Sequence, residues 1–335
     1  MKLSHSIHKG IMETAVGSLV NKFKIKRRRD TLFFDSIVLD YFKLCEKQKY
    51  EKEMTELVKT WMIMYGSSLI PSTLKKINPL FFFNRIFKWV WINLGYMTNI
   101  TLTKKGKKLI IKTIDEQHVN KIGINSLSIG GYQGFLSILF KKDVKYINSK
   151  KEGKEVEYIY ELTDKEVEIK EHSRKYYLEK NKVLKIKGFT LKDALKMKIF
   201  QLKNNTFYFR GKKISPLENT LFHLIANKGI LLNEINKISY KYFKEIKIES
   251  DTKGKLNLLK TLLQIMGWGV ITIKMKTQKE IIIQIKYPPH GFQIEKDNWE
   301  FLIRTIQGYL QTINKKFEIE QEKYSDNILT ITYKV

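Results

Sequence analysis

Cysteine is almost missing from this chain: Cys45 is the only one among 335 residues. A lone thiol excludes an internal disulfide framework and any cysteine-built zinc site. It fits a reducing compartment, and a cytoplasmic location is the expectation. Long apolar runs are missing too. The most apolar stretch, Pro79 to Gly95, is interrupted by Asn84, Arg85 and Lys88, short of the roughly 20 apolar residues a bilayer span needs. A buried or interfacial helix is expected there, with no membrane span. The first twenty residues show no unbroken apolar segment and no small-residue cleavage site, so no secretory signal is expected.

Catalytic signatures are also lacking. No Gly-x-Ser-x-Gly elbow occurs, and Cys45 has no histidine partner by pattern. Gly130-Gly131-Tyr132-Gln133-Gly134 is rich in glycine but lacks the Lys-Ser/Thr of a phosphate loop; helix entry and close packing account for it. The chain is therefore expected not to be an enzyme and to carry no cofactor and no metal. His5 and His8 are spaced as two ligands on a helical face, but Glu13 is the only carboxylate nearby. His290 sits in Pro288-Pro289-His290-Gly291, which reads as a turn.

What is present is apolar and basic. An apolar fraction of 43% with 12% aromatics belongs to a globular protein, and the length suits two domains. Lysine and arginine total 62 against 34 acidic residues, a formal net charge of +28. Such a field attracts polyanions: nucleic acid, an acidic partner or an anionic surface. One arm, Lys22 to Arg29, concentrates Lys22, Lys24, Lys26, Arg27, Arg28 and Arg29. It is a candidate nucleic-acid contact, because such residues neutralise phosphates whatever the base sequence; a solvated basic surface explains it equally well. A second run, Lys104–Lys108, reads as a solvated hairpin tip. No helix-turn-helix, zinc-finger or RNA-recognition signature accompanies either.

The chain repeats itself. Lys255 to Met266 has a helical apolar period and stops at Gly267-Trp268-Gly269. Val270–Met275 and Glu280–Tyr287 read as a hairpin, Asp297–Ile313 as a helix, and Phe317–Gln321 with Ile328–Val335 as a closing strand pair. Upstream, Leu80–Leu94 is a helix ended by Gly95-Tyr96, Ile100–Thr103 and Leu109–Ile114 are a hairpin, and a second helix follows. That helix carries Gln133-Gly134-Phe135-Leu136, the counterpart of Gln307-Gly308-Tyr309-Leu310. Glu155–Leu162 matches Ile328–Val335, and Thr31-Leu32-Phe33 echoes Thr220-Leu221-Phe222 as leading helices. Duplication is the simplest account. The expected layout is a first module over residues 1–162 with a basic N-terminal segment, a charged linker over 163–185, and a second module over 186–335.

At these residues the chain resembles a tandem protein of the vinyl-reductase-like (4-vinyl reductase) domain family, of archaeal type. The likeness is best over Leu256–Val335; the first copy is looser, with Met97 where the second glycine of Gly-Trp-Gly would stand. The resemblance implies an α+β fold with two modules, each an antiparallel or mixed sheet packed with helices around an apolar pocket. It further implies binding of small hydrophobic molecules and a regulatory role, with an internal pseudo-dimer or a homodimer. Many such domains hold cysteines near the last helix and hairpin; this chain has none there.

Aromatic residues on the presumed inner elements fill cores, and they also line apolar ligand pockets. Tyr96, Phe135, Trp268, Trp299 and Tyr309 are the candidate ligand-binding residues. The reading is a non-catalytic protein that binds a small apolar ligand or regulates through it. The alternative is a basic nucleic-acid-binding protein that uses the repeats as scaffold.

Overall fold

The computed structural model describes residues 5–8, 11–14, 31–69, 78–93, 95–167, 180–181, 191–203 and 206–335. The fold is α+β, with antiparallel sheets. Two compact units form. The main body of unit 1 is Phe42–Arg174, and unit 2 gathers Ser4–Tyr41, Lys175–Lys203 and Phe207–Val335.

A two-stranded hairpin, β1 (His5–His8) and β2 (Ile11–Thr14), comes first, then β3 (Leu32–Phe34) and α1 (Asp35–Lys47). Unit 1 continues with α2 (Glu51–Leu69) and a helical run made of α3 (Pro79–Phe81), a π-helical stretch (Phe82–Phe87) and α4 (Lys88–Asn93). Then come β4 (Asn99–Lys105), β5 (Lys108–Ile114), α5 (Gln117–Ile122), α6 (Ser126–Phe140), β6 (Lys142–Glu152) and β7 (Glu155–Glu166). The sheet order is β4-β5-β7-β6. Strand β7 alternates as a half-buried strand should: Val156, Tyr158, Tyr160 and Leu162 point inward, with Glu155 and Glu161 outside. Helix α6 starts at Asn125, whose side chain accepts the Ser128 N–H at 3.0 Å. It is buried from Ser126 to Ile138 because the sheet covers one side and α2 the other.

Unit 2 carries α7 (Leu191–Lys196), β8 (Phe200–Lys203), β9 (Thr206–Phe209) and β10 (Lys212–Pro216). These strands join β3 in a sheet ordered β3-β10-β9-β8. Next are α8 (Thr220–Lys228), α9 (Leu232–Glu245), α10 (Thr252–Ile265), β11 (Val270–Thr277), β12 (Glu280–Lys286), α11 (Glu300–Leu310), β13 (Glu318–Ser325) and β14 (Ile328–Lys334). The main sheet runs β11-β12-β14-β13, the same order as in unit 1.

In each unit the central helix meets its partner through glycine. A Cβ on Gly134 would stand 2.5 Å from the Lys59 carbonyl oxygen on α2, and one on Gly308 would stand 2.4 Å from that of Asn236 on α9. Only hydrogen fits in that space, so the Gln-Gly pair legible in both copies marks a backbone crossing.

Two sequence expectations need correction. Leu32 and Phe33 are not helical: they form β3, where Leu32 and Phe33 pair with Pro216 and Ser215 of β10, whereas Thr220-Leu221-Phe222 opens α8. Thr-Leu-Phe suits either state, and the available strand partner decided it. Thr163–Glu166, the first residues of the linker expected over 163–185, continue β7. Residues 168–179 and 182–190 lie outside the described residues.

Candidate ligand-binding site

The centre of unit 1 holds a carboxyl group in a ring of hydroxyls. Thr113 is the last inward residue of β5, Glu116 lies in the turn before α5, Ser128 and Tyr132 stand one turn apart on α6, and Tyr158 faces them from β7. Glu116 is only 3% exposed. Its Oε1 accepts from Ser128 Oγ at 2.5 Å, and its Oε2 accepts from Thr113 Oγ1 and the Tyr158 hydroxyl, each at 3.0 Å. Burial pushes the carboxyl above its ordinary range, and the hydroxyl donors hold it partly back.

The neighbouring Tyr132 is 2% exposed, and its hydroxyl stands close enough to Glu116 to join the donors that hold that carboxyl down. Burial, and then the Glu116 charge, push that phenol well above its usual value, so it keeps its proton.

An aromatic layer lies beside this cluster. The Tyr132 ring is 5.1 Å from Tyr158 and 6.2 Å from Trp91; Trp91 is 4.9 Å from both Tyr96 and Phe87. Phe87 stacks on Phe135 at 3.8 Å, and Tyr96 meets His118 edge-on at 5.5 Å. The helical run from α3 to α4 supplies Phe87 and Trp91. Asn78 caps it by accepting from the Leu80 and Phe81 N–H groups, and Pro79 opens it. Within the π-helical stretch, Asn84 clamps the run to the edge of β4: its Nδ2 donates to Leu102 O at 2.9 Å and its Oδ1 accepts from Leu102 N at 2.8 Å. Phe81 is 55% exposed, and Trp89 to Asn93 are half-buried. Apolar side chains on this cover are thus still within reach of solvent. Local π-helix often accompanies a functional site.

Unit 2 shows what the same frame looks like without that cluster. The two units align through three matched features. Tyr160 donates to Ile129 O and Tyr333 to Ile303 O, at 3.1 and 3.0 Å. Gln133 and Gln307 each donate from the central helix to a backbone carbonyl of the segment that follows it, Val144 O and Phe317 O. Gly134 and Gly308 make the helix crossings. With that register and the matching strand pairs, Thr113, Glu116, Ser128, Tyr132 and Tyr158 correspond to Ile285, Pro288, Leu302, Ile306 and Ile331. All five are buried and none has a polar side chain.

Unit 2 puts its buried polar groups elsewhere. Asp297 accepts from His290 Nδ1 at 2.7 Å and from the Gly291 N–H at 2.9 Å, and His223 Nε2 lies 3.7 Å away. Burial opposes ionisation of Asp297, yet the His290 hydrogen bond and the two imidazoles lower its carboxyl overall. His223 is pushed below its ordinary value by burial. Neutral His223 accepts the Asn298 N–H at Nδ1 and donates from Nε2 to Pro289 O, which also takes the Trp299 Nε1–H at 2.7 Å. This network fastens the loop after β12 to α8 and leaves little for a ligand. The Tyr242 hydroxyl on α9 has no hydrogen-bond partner. Its charged neighbour Asp35 already accepts from Ser215 Oγ at 2.8 Å.

Of the five candidate aromatics, Tyr96 and Phe135 come together in the unit 1 layer through Phe87 and Trp91. The other three are dispersed in unit 2. Trp268 donates to Leu32 O, Trp299 to Pro289 O and Tyr309 to Lys255 O, so each has its polar atom satisfied inside a packed core. Lys22, Lys24, Lys26, Arg27, Arg28 and Arg29 lie outside the described residues. At the hairpin tip, Lys107 pairs with Asp164 at 2.7 Å and Lys104 Nζ sits 5.4 Å from the Phe140 ring centre. His5 and His8 fall on β1, a strand and not a helix.

Glu116 and its hydroxyl ring were not picked out from sequence. The signal lay in the duplication, since those residues are polar where the second copy is apolar. Among the described residues, no group of three or more His, Cys, Asp or Glu is placed to hold a metal, and no helix is long and apolar enough to cross a membrane. No protein-family model matches the chain, and no curated protein matches it.

Proposed function

We propose that this protein binds a small apolar ligand in unit 1, without catalysing a reaction, and that unit 2 serves as its solid counterpart. The observation that carries the reading is the buried carboxyl–hydroxyl cluster of Glu116 and Tyr132 beneath an aromatic layer, at positions where unit 2 has proline and isoleucine. Ligand sites are mostly apolar with a few polar groups that fix orientation. Rule-breaking polar positions in an otherwise consistent core mark function more often than structure. The reading of both units as vinyl-reductase-like modules draws support from their shared strand order and helix crossing. Ligand burial would then favour one conformation of unit 1, which a partner can read.

Native mass spectrometry of the full-length, nuclease-treated protein tests this. A small apolar mass that is lost on denaturation is the expected result. A clean apo mass, together with tryptophan emission that stays unchanged across a panel of apolar compounds, would overturn the proposal.

A second reading rests on the net charge of +28: the same protein engages a polyanion through its basic surface. Binding to generic RNA that weakens steeply between low and moderate salt supports it; salt-independent or absent binding refutes it.

A further inference from the structure

Unit 1 contains a long stretch with charge of one sign. No Asp or Glu occurs between Glu56 and Asp115, whereas Lys and Arg recur through it. The helical run from Pro79 to Asn93 and the β4–β5 hairpin both fall inside. Phe82, Phe83 and Phe87 turn the run's inner side into the core, and Asn84 fixes it to Leu102 of β4. Its outer side is apolar and basic together. Phe81 is 55% exposed, Arg85 is exposed, and Lys88, Trp89 and Ile92 are half-buried. Phe81, Arg85, Lys88 and Ile92 recur at helical spacing, so they line one face. The hairpin tip, which begins two residues past Leu102, adds the exposed Lys104, Lys105 and Lys108. Lys107 pairs with Asp164, and Lys112 with Glu155 and Glu157, but among the described residues Arg85 and Lys88 form no ion pair.

We infer that this face docks unit 1 on an anionic lipid bilayer, seated in the headgroup layer without crossing it. Two features of one face point there together. Phe81 and Ile92 leave water on entering the acyl boundary, as the apolar side of an interfacial helix does. Trp89 suits that depth, since tryptophan gathers where bilayer meets water. Arg85, Lys88 and the hairpin lysines then meet lipid phosphates and carboxylates, and each basic residue strengthens attachment to an anionic surface about fivefold. A nucleic acid would take up the cations but offers Ile92 nothing, and an uncharged partner would leave the acid-free stretch unanswered. Docking of this kind needs no ligand in the core of unit 1 and stands whether or not one binds.

Flotation of the full-length, nuclease-treated protein with vesicles tests this, using phosphatidylcholine alone and phosphatidylcholine mixed with phosphatidylserine. We expect capture by the mixed vesicles and at least about tenfold weaker capture by the neutral ones. Phe81→Ala should weaken attachment about fivefold, and Arg85→Gln joined to Lys88→Gln about twentyfold, with far-ultraviolet circular dichroism unchanged. A charge-matched control, Lys253→Gln joined to Lys260→Gln at exposed positions of α10, should attach as the unaltered protein does. Absence of capture, capture that the two charge pairs reduce equally, or capture indifferent to Phe81→Ala overturns docking through this face. Binding to generic RNA that the Arg85 and Lys88 substitutions weaken, with the vesicles left unbound, also overturns it and gives the face to nucleic acid.

Discussion

Unit 1 and unit 2 hold their central helices in the same way and fill the space beneath them differently. The shared parts are backbone devices: a glycine that lets two helices touch, a glutamine that meets the next segment, and a tyrosine that reaches back from the last strand to the helix. The differing parts are side chains at five inward positions. In unit 2 they are Ile285, Pro288, Leu302, Ile306 and Ile331, an apolar interior with no unmet hydrogen bonds at those sites. In unit 1 they form a carboxyl–hydroxyl cluster. A frame of this order therefore accepts hydrocarbon at these five positions, and the unit 1 cluster is not required by the frame itself.

The largest effect should come from the polar network that is structural. Asp297→Ala leaves the buried His290 imidazole and the Gly291 N–H without their acceptor and removes the charge beside His223, and it should cost about 3–5 kcal/mol in chemical denaturation. A loss under 1 kcal/mol would mean that this network is not what fastens the loop to α8. Next come the crossings. Gly134→Ala and Gly308→Ala each drive a methyl group into a carbonyl oxygen and should cost about 1–3 kcal/mol, by similar amounts in the two units. A large asymmetry would break the claim that the frame is shared.

Smaller is the effect of single hydroxyls within unit 1. Tyr158→Phe removes a hydroxyl that donates to Glu116 at 3.0 Å and should destabilise by about 1–2 kcal/mol, and Tyr132→Phe, whose hydroxyl is less well placed on that carboxyl, should cost less. Thermal melts of the two variants decide it; a larger loss for Tyr132→Phe would reverse the order of the two donors.

The smallest effects concern pH, and the two have opposite signs. Glu116 has its pKa raised in the fold, so its contribution is fully present below the ordinary carboxylate value of 4.5 and is lost as pH rises through the higher folded value. His223 has its pKa lowered, so its contribution is present above the ordinary 6.5 and is lost as pH falls through that value towards the folded one. Denaturation midpoints between pH 4 and 8 should show Glu116→Gln removing a decline with rising pH, and His223→Gln removing a decline with falling pH. Matching slopes in the two variants would contradict the buried states of these groups.

Much of the frame was legible in the chain. The apolar period before Gly267, the alternation in Glu155–Leu162 and the twice-used Gln-Gly placed helices, hairpins and their order, because periodicity reports which face is buried. The run over Pro79 to Asn93 was legible as a helix, but its π-helical stretch was not, since that depends on Asn84 finding Leu102 on the edge of β4. The ligand candidates divided along the same line. Tyr96 and Phe135 were found as aromatics on inner elements, but so were Trp268, Trp299 and Tyr309, and composition cannot tell a packed ring with a satisfied polar atom from one beside a buried carboxyl. Glu116 drew no notice because a glutamate in a turn is usually solvated.

The sequence by itself determined the charge, the absence of a disulfide framework, the two successive helix–hairpin–helix–hairpin patterns and the glycines at which helices cross; each follows from local spacing and residue chemistry. Only the tertiary structure decided that Thr113, Glu116, Ser128, Tyr132 and Tyr158 meet, that Leu32 and Phe33 form a strand, and that His223, His290 and Asp297 share one network. Those outcomes depend on contacts between residues far apart in the chain. There the cost of burying a polar group is settled by the partners it finds, as the Glu116 carboxyl finds its hydroxyls.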